Sequence, residues 1–233
     1  MKPIPCEGCP VRERTVFAGL EPDLLALIDN AKQTRKYKKG QVIFYEDNPA
    51  FGLYCIHAGK VKLYKTTAEG KRLTLRLADP GDQLGHLAIF TEQPYSGTGE
   101  ALEDSTVCFV DRKCLPTLMA KSPAATSAII QGLARGLSIT RDRATDMAHR
   151  SVRERVAGML LQLKAKYGQQ DGDAVRLDIA LSREDLAELI GTTKETLVRV
   201  LSDFRQEQII ADKGPNLMLL SPEKLAKIAG YLD

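Results

Sequence analysis

The sequence predicts an α+β fold in which an antiparallel β domain comes first and a helical half follows. Between about residues 35 and 110, short runs rich in Val, Ile, Leu, Phe and Tyr alternate with turns that contain Gly or Pro. That spacing is typical of an antiparallel sandwich or barrel. From Ser122 onward, apolar residues instead recur at intervals of three and four, which indicates helices.

Bulk composition narrows the class of protein. The chain has 233 residues, 43% of them apolar and 27% charged, as in ordinary globular proteins of one or two domains. No run approaches the roughly 18 apolar residues of a membrane span. The first residues lack the apolar core of a signal peptide, so we expect a cytoplasmic protein. The net charge is only +3, and from Arg150 onward 13 basic residues balance 13 acidic ones, so nucleic-acid binding must be argued from pattern.

The β region is marked by its strands and its turns. The predicted strands are the runs QVIFYE, LYCIHA, KVKLYKT, RLTLRLA and TVCFVD. The turn signals include Lys39-Gly40, Ala58-Gly59-Lys60 and Asp79-Pro80-Gly81-Asp82. The segment before the first strand, which carries Cys6 and Cys9, is expected to be unstructured.

A long helix is predicted after the β region, with Ser122 as N-cap and Pro123 in its first position. Its apolar or small residues alternate at spacings of three and four, as in a coiled-coil seam; they are Ile130, Leu133, Leu137, Thr140, Ala144 and Met147. So narrow a seam on so long a helix favours pairing with a second copy of the chain. The alternative is that the helix packs along its own β domain.

Further helices and a hairpin follow. One helix begins at Ser151 and ends at Tyr167-Gly168 with the polar run QQDGD. Two shorter helices come next, then a hairpin with its turn at residues 213–216. Ser221-Pro222 predicts the start of a final short helix by the same capping logic.

Residues 181–210 predict a helix-turn-helix. Ser182 caps the first helix, and Gly191 ends it because the left-handed C′ position suits glycine. Thr192 or Thr193 caps the second helix, which gives two helices joined by a short turn. The hairpin that follows, with Lys213 at its tip, is typical of a wing.

The second helix has two faces. Leu197, Val200, Leu201 and Phe204 form the face expected in the core. Glu195, Val198, Arg199 and Ser202 lie opposite, where arginine can bind guanine, glutamate can accept from cytosine and an apolar group can touch a thymine methyl. Two alternatives stay open: Thr192 and Glu195 could form a capping box, and Lys194 and Arg199 could be plain surface charge.

These features together resemble the cyclic-AMP receptor and fumarate–nitrate reduction regulators, the CRP/FNR family, over nearly the whole chain. Gly40, Gly59 and Gly81 match the turns of the family's β-roll, residues 101–112 its closing strands, and Glu195 to Arg199 its E-T-x-x-R motif. The resemblance implies a cyclic-nucleotide-binding-like β-roll, a dimerisation helix and a winged helix-turn-helix. We therefore expect an N-terminal extension at 1–20, a β-roll sensor at 21–120, the dimerisation helix at 121–149 and the DNA-binding domain at 150–233.

The function that the resemblance implies is sequence-specific transcription regulation by a homodimer, with no enzymatic activity. The expected partners are palindromic double-stranded DNA with a TGA-type core in each half-site and, if the protein is an activator, RNA polymerase. Lys194 stands where cyclic-AMP receptors carry arginine, and Val198 departs from the usual Ser or Gly. The predicted DNA-binding residues are Ser182, Thr193, Lys194, Glu195, Thr196, Val198 and Arg199.

The signal is the open question. The segment that matches the family's effector pocket supplies the candidates Gly85, His86, Leu87, Ser96 and Gly97. His86 and Ser96 replace the Glu and Arg that bind cyclic nucleotides, and a cyclic phosphate without its arginine loses its main charge-assisted hydrogen bonds. Cyclic AMP is therefore not expected. Haem is not expected either, because none of His57, His86 and His149 lies in a haem motif.

The cysteines offer a redox or metal signal. Oxygen-sensing members bind a [4Fe–4S] cluster through four cysteines; Cys6, Cys9 and Cys108 match three of them, whereas Thr15 and Phe17 occupy the positions of the missing one. Glu7, Glu13 or another cysteine could complete the set. Alternatively Cys6 and Cys9 form a reversible dithiol, and Cys55, Cys108 and Cys114 are core thiols. A thioredoxin-like enzyme is disfavoured because the Cys-x-x-Cys pair lacks a βαβ context, and a cyclic-nucleotide regulatory subunit would carry no helix-turn-helix.

Overall fold

The computed structural model describes residues 4–214 and 216–231, and it confirms the predicted α+β class. Its helices are α1 (Pro22–Ala31), α2 (His86–Phe90), α3 (Leu115–Lys121), α4 (Pro123–His149), α5 (Val152–Tyr167), α6 (Arg183–Ile190), α7 (Lys194–Gln206) and α8 (Pro222–Ile228). Its strands are β1 (Lys32–Tyr37), β2 (Val42–Phe44), β3 (Gly52–Ala58), β4 (Val61–Thr66), β5 (Arg72–Ala78), β6 (Gln83–Leu84), β7 (Thr98–Ala101), β8 (Ser105–Asp111), β9 (Gly168–Asp171), β10 (Ala174–Leu177), β11 (Ile210–Lys213) and β12 (Asn216–Leu219). Within the described ranges, no helix combines the length and the apolar character needed to span a membrane.

The chain divides into two compact units, Met1–Ser138 and Ile139–Asp233. The first unit contains two four-stranded antiparallel sheets, in the orders β1-β8-β3-β6 and β2-β7-β4-β5. Apolar residues from both sheets form one core between them, which includes Phe44, Ile56, Val61 and Val107. The predicted sandwich-like strand region is therefore present.

A second core covers the opposite face of the first sheet. Leu53 and Cys55 of β3 project into it, because alternate residues of a strand point to opposite faces. They pack there with α1, α3 and the start of α4 through residues such as Ile28, Leu118 and Ala125. This second core lies beside the cysteines discussed below.

The expectation of an unstructured start is wrong. Residues 12–14 form a 3₁₀ turn and α1 follows at Pro22, and the second core includes Cys6, Phe17 and the buried face of α1. Strand β1, with the sequence KQTRKY, is not among the predicted runs because it is mostly polar. It is an edge strand with alternating exposure, and polar residues are tolerated on the open side of such a strand.

Helix α4 begins where the sequence predicts. The Ser122 hydroxyl accepts a hydrogen bond from the Ala125 amide at 3.2 Å, and Pro123 is the first helical residue. The helix runs for 27 residues, so at about 1.5 Å per residue it is roughly 40 Å long.

The second unit contains α5 to α8 and a four-stranded sheet in the order β11-β12-β10-β9. The polar run after Tyr167, which we interpreted only as a helix terminator, instead enters a hairpin in which β9 pairs with β10. Backbone hydrogen bonds pair these two strands, so the side chains of the run do not need to be apolar. A search for apolar strand patterns therefore does not detect it. Helix α8 begins at Pro222 as predicted, but the Ser221 side chain makes no capping hydrogen bond. Pro215, in the predicted 213–216 turn, lies outside the described residues.

Candidate functional sites

Helices α6 and α7 form the predicted helix-turn-helix, and local hydrogen bonds set its ends. The Ser182 hydroxyl accepts from the Asp185 amide at 3.0 Å while the Asp185 carboxylate accepts from the Ser182 amide at 3.1 Å, which is a capping box. Gly191 ends α6 with a left-handed φ of 73°. The Thr193 hydroxyl then accepts from the Thr196 amide at 3.3 Å and caps α7.

The inner face of α7 is buried as predicted. Leu197, Val200, Leu201 and Phe204 all lie in the core, and Phe204 is fully buried. This burial fixes the rotation of α7 about its own axis, and so determines which side chains face outward.

The outer face of α7 is open. Glu195, Val198 and Arg199 are exposed, and Val198 exposes 44% of its surface. Neither the Glu195 nor the Arg199 side chain makes a hydrogen bond or ion pair with any residue of the described ranges. The capping-box alternative for Glu195 is wrong, because Thr193 is the N-cap and the third helical residue is Thr196.

The other predicted DNA-binding residues have partners in the structure. Lys194 makes an exposed ion pair with Glu184 at 3.1 Å, an interaction weak enough for a phosphate to compete with. The hydroxyls of Ser182, Thr193 and Thr196 take part in helix capping.

The tip of the β11–β12 hairpin is also paired. Lys213 Nζ lies 2.5 Å from a carboxylate oxygen of Asp171 in β9. The hydrogen bond from Lys213 holds the pKa of that carboxyl below its usual range. Lys213 remains largely exposed, so it can exchange this partner for another anion.

In the first unit, a cavity of about 30 Å³ brings four of the five cysteines together. Cys6, Cys9, Cys55 and Cys108 line it, together with His57. We call this the thiol pocket. Cys114, the fifth cysteine, does not line it; its thiol donates to the Asp111 carbonyl at 3.0 Å.

Strand pairing places two of these cysteines side by side. Cys108 of β8 pairs with Cys55 of β3 on one side and with Thr34 of β1 on the other. The Thr34 hydroxyl and the Cys108 thiol are 3.5 Å apart. Burial raises the pKa of the Cys55 thiol well above its usual value, and the neighbouring Cys108 adds to the shift.

Lys32, whose side chain is buried, contacts the N-terminal segment where that segment lines the pocket. Lys32 Nζ lies 3.0 Å from Cys6 Sγ and 2.5 Å from a carboxylate oxygen of Asp29, and that carboxylate accepts from the Cys6 amide at 2.9 Å. Burial raises the pKa of Cys6 to about 11, against the opposing effect of Lys32. Cys9 Sγ lies 3.5 Å from His57 Nδ1.

Thiolate and imidazole are donor types suited to iron–sulfur clusters and to soft metals. In this structure, however, no three Cys, His, Asp or Glu side chains of the described ranges are grouped to hold a metal ion. The pocket as it stands therefore does not fit a preformed cluster. Neither Glu7 nor Glu13 lines it, and Glu13 pairs with Arg12 instead.

The predicted effector segment lies elsewhere. Gly85 has a φ of 83° and precedes α2, Leu87 and Ser96 are exposed, and Gly97 is buried. None of the five candidates lines the thiol pocket. Burial, and next the charge of Arg76, lower the pKa of His86, and its Nδ1 finds no hydrogen-bond partner among the described residues.

The predicted seam of α4 is largely uncovered. Ile130 and Leu137 expose 60% and 61% of their surfaces; Thr140, Ala144 and Met147 are exposed too, and Leu133 is half-buried. Among the described residues, its own chain therefore leaves five of the six seam residues exposed. Ile139, which lies off the seam, is likewise exposed.

Sequence reasoning missed Cys55, His57 and Lys32 as parts of the thiol pocket. A signal existed for two of them: Cys55 and His57 are two residues apart in a predicted strand, so they share a face. For Lys32 there was none, because its role depends on the pairing of β1 with β8.

Comparisons with known proteins agree with this organisation. Residues 34–122 match the family model for the cyclic nucleotide-binding domain, and residues 154–228 match that for the Crp-like helix-turn-helix domain. The chain is 31% identical over 214 residues to the CRP-like cAMP-activated global transcriptional regulator of Mycobacterium tuberculosis, which covers 92% of this chain and 96% of the relative. It is 25% identical to the fumarate and nitrate reduction regulatory protein of Escherichia coli, over 98% of this chain and 91% of the relative.

Solved structures show the same likeness. FixK2 from Bradyrhizobium japonicum superposes with a TM-score of 0.73 at 25% identity, covering 84% of this chain and 96% of that one. A CRP/FNR-family transcriptional regulator from Thermus thermophilus gives a TM-score of 0.70 at 26% identity, covering 85% and 98%.

Proposed function

The chain belongs to the CRP/FNR family of DNA-binding transcription regulators, and from this premise we propose that it binds a palindromic site as a homodimer in response to a redox, gas or small-molecule signal. It is a regulator that reads sequence through its Crp-like helix-turn-helix. The relatives described above are regulators, so the proposal is a binding function and not a catalytic one. A regulator of this kind acts in the cytoplasm, where promoter DNA and RNA polymerase are found.

The outer face of α7 carries the proposal. Glu195, Val198 and Arg199 project from a helix whose opposite face is anchored in the core, which is the arrangement that a recognition helix requires. Glu195 and Arg199 have no ion pair within the described ranges to break before they bind base edges. Lys194 and Lys213 give up only exposed pairs to bind phosphates.

Dimer formation through α4 supplies the two-fold symmetry. An uncovered coiled-coil seam on a helix of this length buries its apolar residues by packing on a second copy. Two recognition helices related by that symmetry would read the two halves of a palindrome.

The test is DNA binding by an Arg199→Ala variant. We expect it to lose about 1–3 kcal/mol of specific binding and to tolerate changes at one base position of the half-site, because it loses a bidentate base contact. Binding is measured by fluorescence anisotropy at fixed salt on a site selected from random DNA.

A matched control removes one positive charge elsewhere in the same domain. Lys224 is exposed on α8, and Lys224→Ala should leave sequence preference unchanged. If Arg199→Ala bound with the affinity and preference of the wild type, the recognition face would be assigned wrongly.

For the signal, we propose redox chemistry at the thiol pocket. The pocket gathers four thiols beside one imidazole in the sensor domain, whereas Ser96 and His86 leave a cyclic phosphate without the family's usual ligands. A [4Fe–4S] cluster held by Cys6, Cys9 and Cys108 is the second candidate, favoured by the shared pocket of these residues. It would require the Cys6–Cys9 segment to rearrange, and iron and sulfide content of protein purified without oxygen decides between the two.

A further inference from the structure

Cys55 and Cys108 are directly opposed across two neighbouring strands. They are register partners in the antiparallel pairing of β3 with β8. Directly opposed residues of an antiparallel pair project to the same face of the sheet. Both residues accordingly line the thiol pocket, on the face covered by the second core.

This placement is close to what a disulfide needs. Directly opposed residues have Cα atoms about 4.5–5.5 Å apart, inside the range of roughly 4.4–6.8 Å found in disulfides. Their Cβ atoms lie about 4.5–5.5 Å apart, slightly more than the roughly 3.5–4.5 Å of a disulfide. Closing the bond therefore requires the strands to approach by about 1 Å, and the resulting strain makes the bond easy to reduce.

The other cysteines have competing partners. Cys6 is held by Lys32 and Asp29, and Cys9 contacts His57. Cys114 is bonded to a backbone carbonyl away from the pocket. Cys108 itself contacts Thr34 of β1 through its thiol, so its side chain must turn from β1 toward β3 to reach Cys55.

We propose that Cys55 and Cys108 form a reversible disulfide when the protein meets hydrogen peroxide. These two cysteines would be the ones that carry the redox signal proposed above, and the biological role of their disulfide rests on that proposal. The bond itself does not depend on DNA binding, and it is tested without DNA.

The chemistry balances with one peroxide molecule. Cys108 is the more exposed of the two, so its thiolate attacks a peroxide oxygen first; the O–O bond breaks, hydroxide leaves and a sulfenic acid remains. The Cys55 thiol then gives up its proton as its sulfur attacks the Cys108 sulfur, the S–O bond breaks and a second hydroxide leaves. The two thiol protons convert both hydroxides to water, and the two electrons lost by sulfur reduce the peroxide.

Tryptic digestion can identify which cysteines are linked, because it separates them onto four peptides. Cys55 lies on peptide 40–60, Cys108 on 77–112, Cys114 on 114–121, and Cys6 and Cys9 together on 1–12. The full chain is purified without oxygen, treated with stoichiometric hydrogen peroxide, alkylated and digested without reductant. We expect the 40–60 and 77–112 peptides to appear cross-linked and two hydrogen atoms lighter. Alkylation of Cys55 and Cys108 should be lost together, and dithiothreitol should restore it.

Variants distinguish the cysteine that reacts with peroxide, Cys108, from the one that resolves the sulfenic acid, Cys55. Cys55→Ala should leave Cys108 as a sulfenic acid that dimedone traps, while Cys114→Ala should form the bond like the wild type. The proposal is overturned if Cys55 stays alkylatable while Cys108 is oxidised, if Cys108 links to peptide 1–12, or if the purified protein carries iron and sulfide bound through Cys108. Because the wild-type peptide map decides the question, a variant that fails to fold does not weaken the test.

Discussion

Gly59, in the turn between β3 and β4, is required for two separate reasons. Its φ is 84°, in the left-handed region that favours glycine. In addition, a Cβ at this position would lie 2.3 Å from Ser105 Oγ and 2.7 Å from the backbone oxygen of Asp104. Gly40 shares the first constraint, with a φ of 82°, but a Cβ there would meet nothing within 4 Å.

These two glycines form a matched pair for a stability measurement. Gly40→Ala should lower the free energy of unfolding by about 1–2 kcal/mol, the cost of left-handed backbone. Gly59→Ala should cost clearly more, because a clash with backbone is added to the same strain. Urea denaturation of the two variants tests this, and equal losses would contradict the steric argument.

Cys6 allows a prediction about pH. Alkylating reagents react with the thiolate, and burial raises the pKa of Cys6 to about 11 despite the nearby Lys32. Between pH 8 and pH 10 the thiolate fraction, and with it the rate of iodoacetamide reaction at Cys6, should therefore rise about tenfold per pH unit. Fragmentation of peptide 1–12 distinguishes Cys6 from Cys9, and a rate that levels off before pH 10 would show that the thiol is not held in this environment.

At the scale of elements, α4 and α7 each have an apolar stripe, but only that of α7 is buried. Phe204 on α7 is fully buried, whereas Leu137 on α4 exposes 61% of its surface. The two stripes differ in exposure because other elements of the chain pack on the stripe of α7 and leave that of α4 uncovered. The α4 stripe is therefore the surface where a second copy is expected.

Leu137→Glu should dissociate the proposed dimer. Each dimer would lose two buried leucines, at about 1.5–3 kcal/mol each, which weakens the dimer by roughly a hundredfold or more in Kd. Sedimentation velocity measures the shift toward monomer. Gln131→Glu adds the same charge on an exposed residue away from the seam, and its dissociation constant should stay near that of the wild type; a wild-type protein that is monomeric at micromolar concentration would contradict the dimer.

At the scale of the whole molecule, each unit has its own buried residues and its own candidate site. The thiol pocket draws on four separate stretches of chain, around Cys6, Lys32, Cys55 and Cys108. The face of α7, by contrast, is made by one stretch of five residues. A site formed by one short stretch can be predicted from the sequence, whereas a site assembled from four distant stretches cannot.

Much of the fold could be predicted because its signals are local. The caps at Ser122 and Ser182, the turn at Gly191 and the inner face of α7 all depend on residues within a few positions of one another. The family and its DNA-binding function, predicted from the same stretches, are confirmed by the comparisons. The DNA contacts themselves, the dimer seam and the ligand set Cys6, Cys9 and Cys108 stay predictions.

The remaining elements escaped prediction because their stability comes from distant partners. β1 is polar and pairs with β8, some 70 residues away in the chain, and β9 is polar and pairs with β10. Local propensity carries little weight where pairing and packing against a neighbour decide the outcome.

The sequence by itself determined the fold class, the order of the domains and the two faces of α7, because periodicity, capping and turn chemistry act over short distances along the chain. Only the tertiary structure decided that Cys55 lies opposite Cys108, that Lys32 reaches Cys6 and that Lys213 pairs with Asp171. Those contacts join residues far apart in the chain, and they form only when the sheets pair and bury their apolar faces.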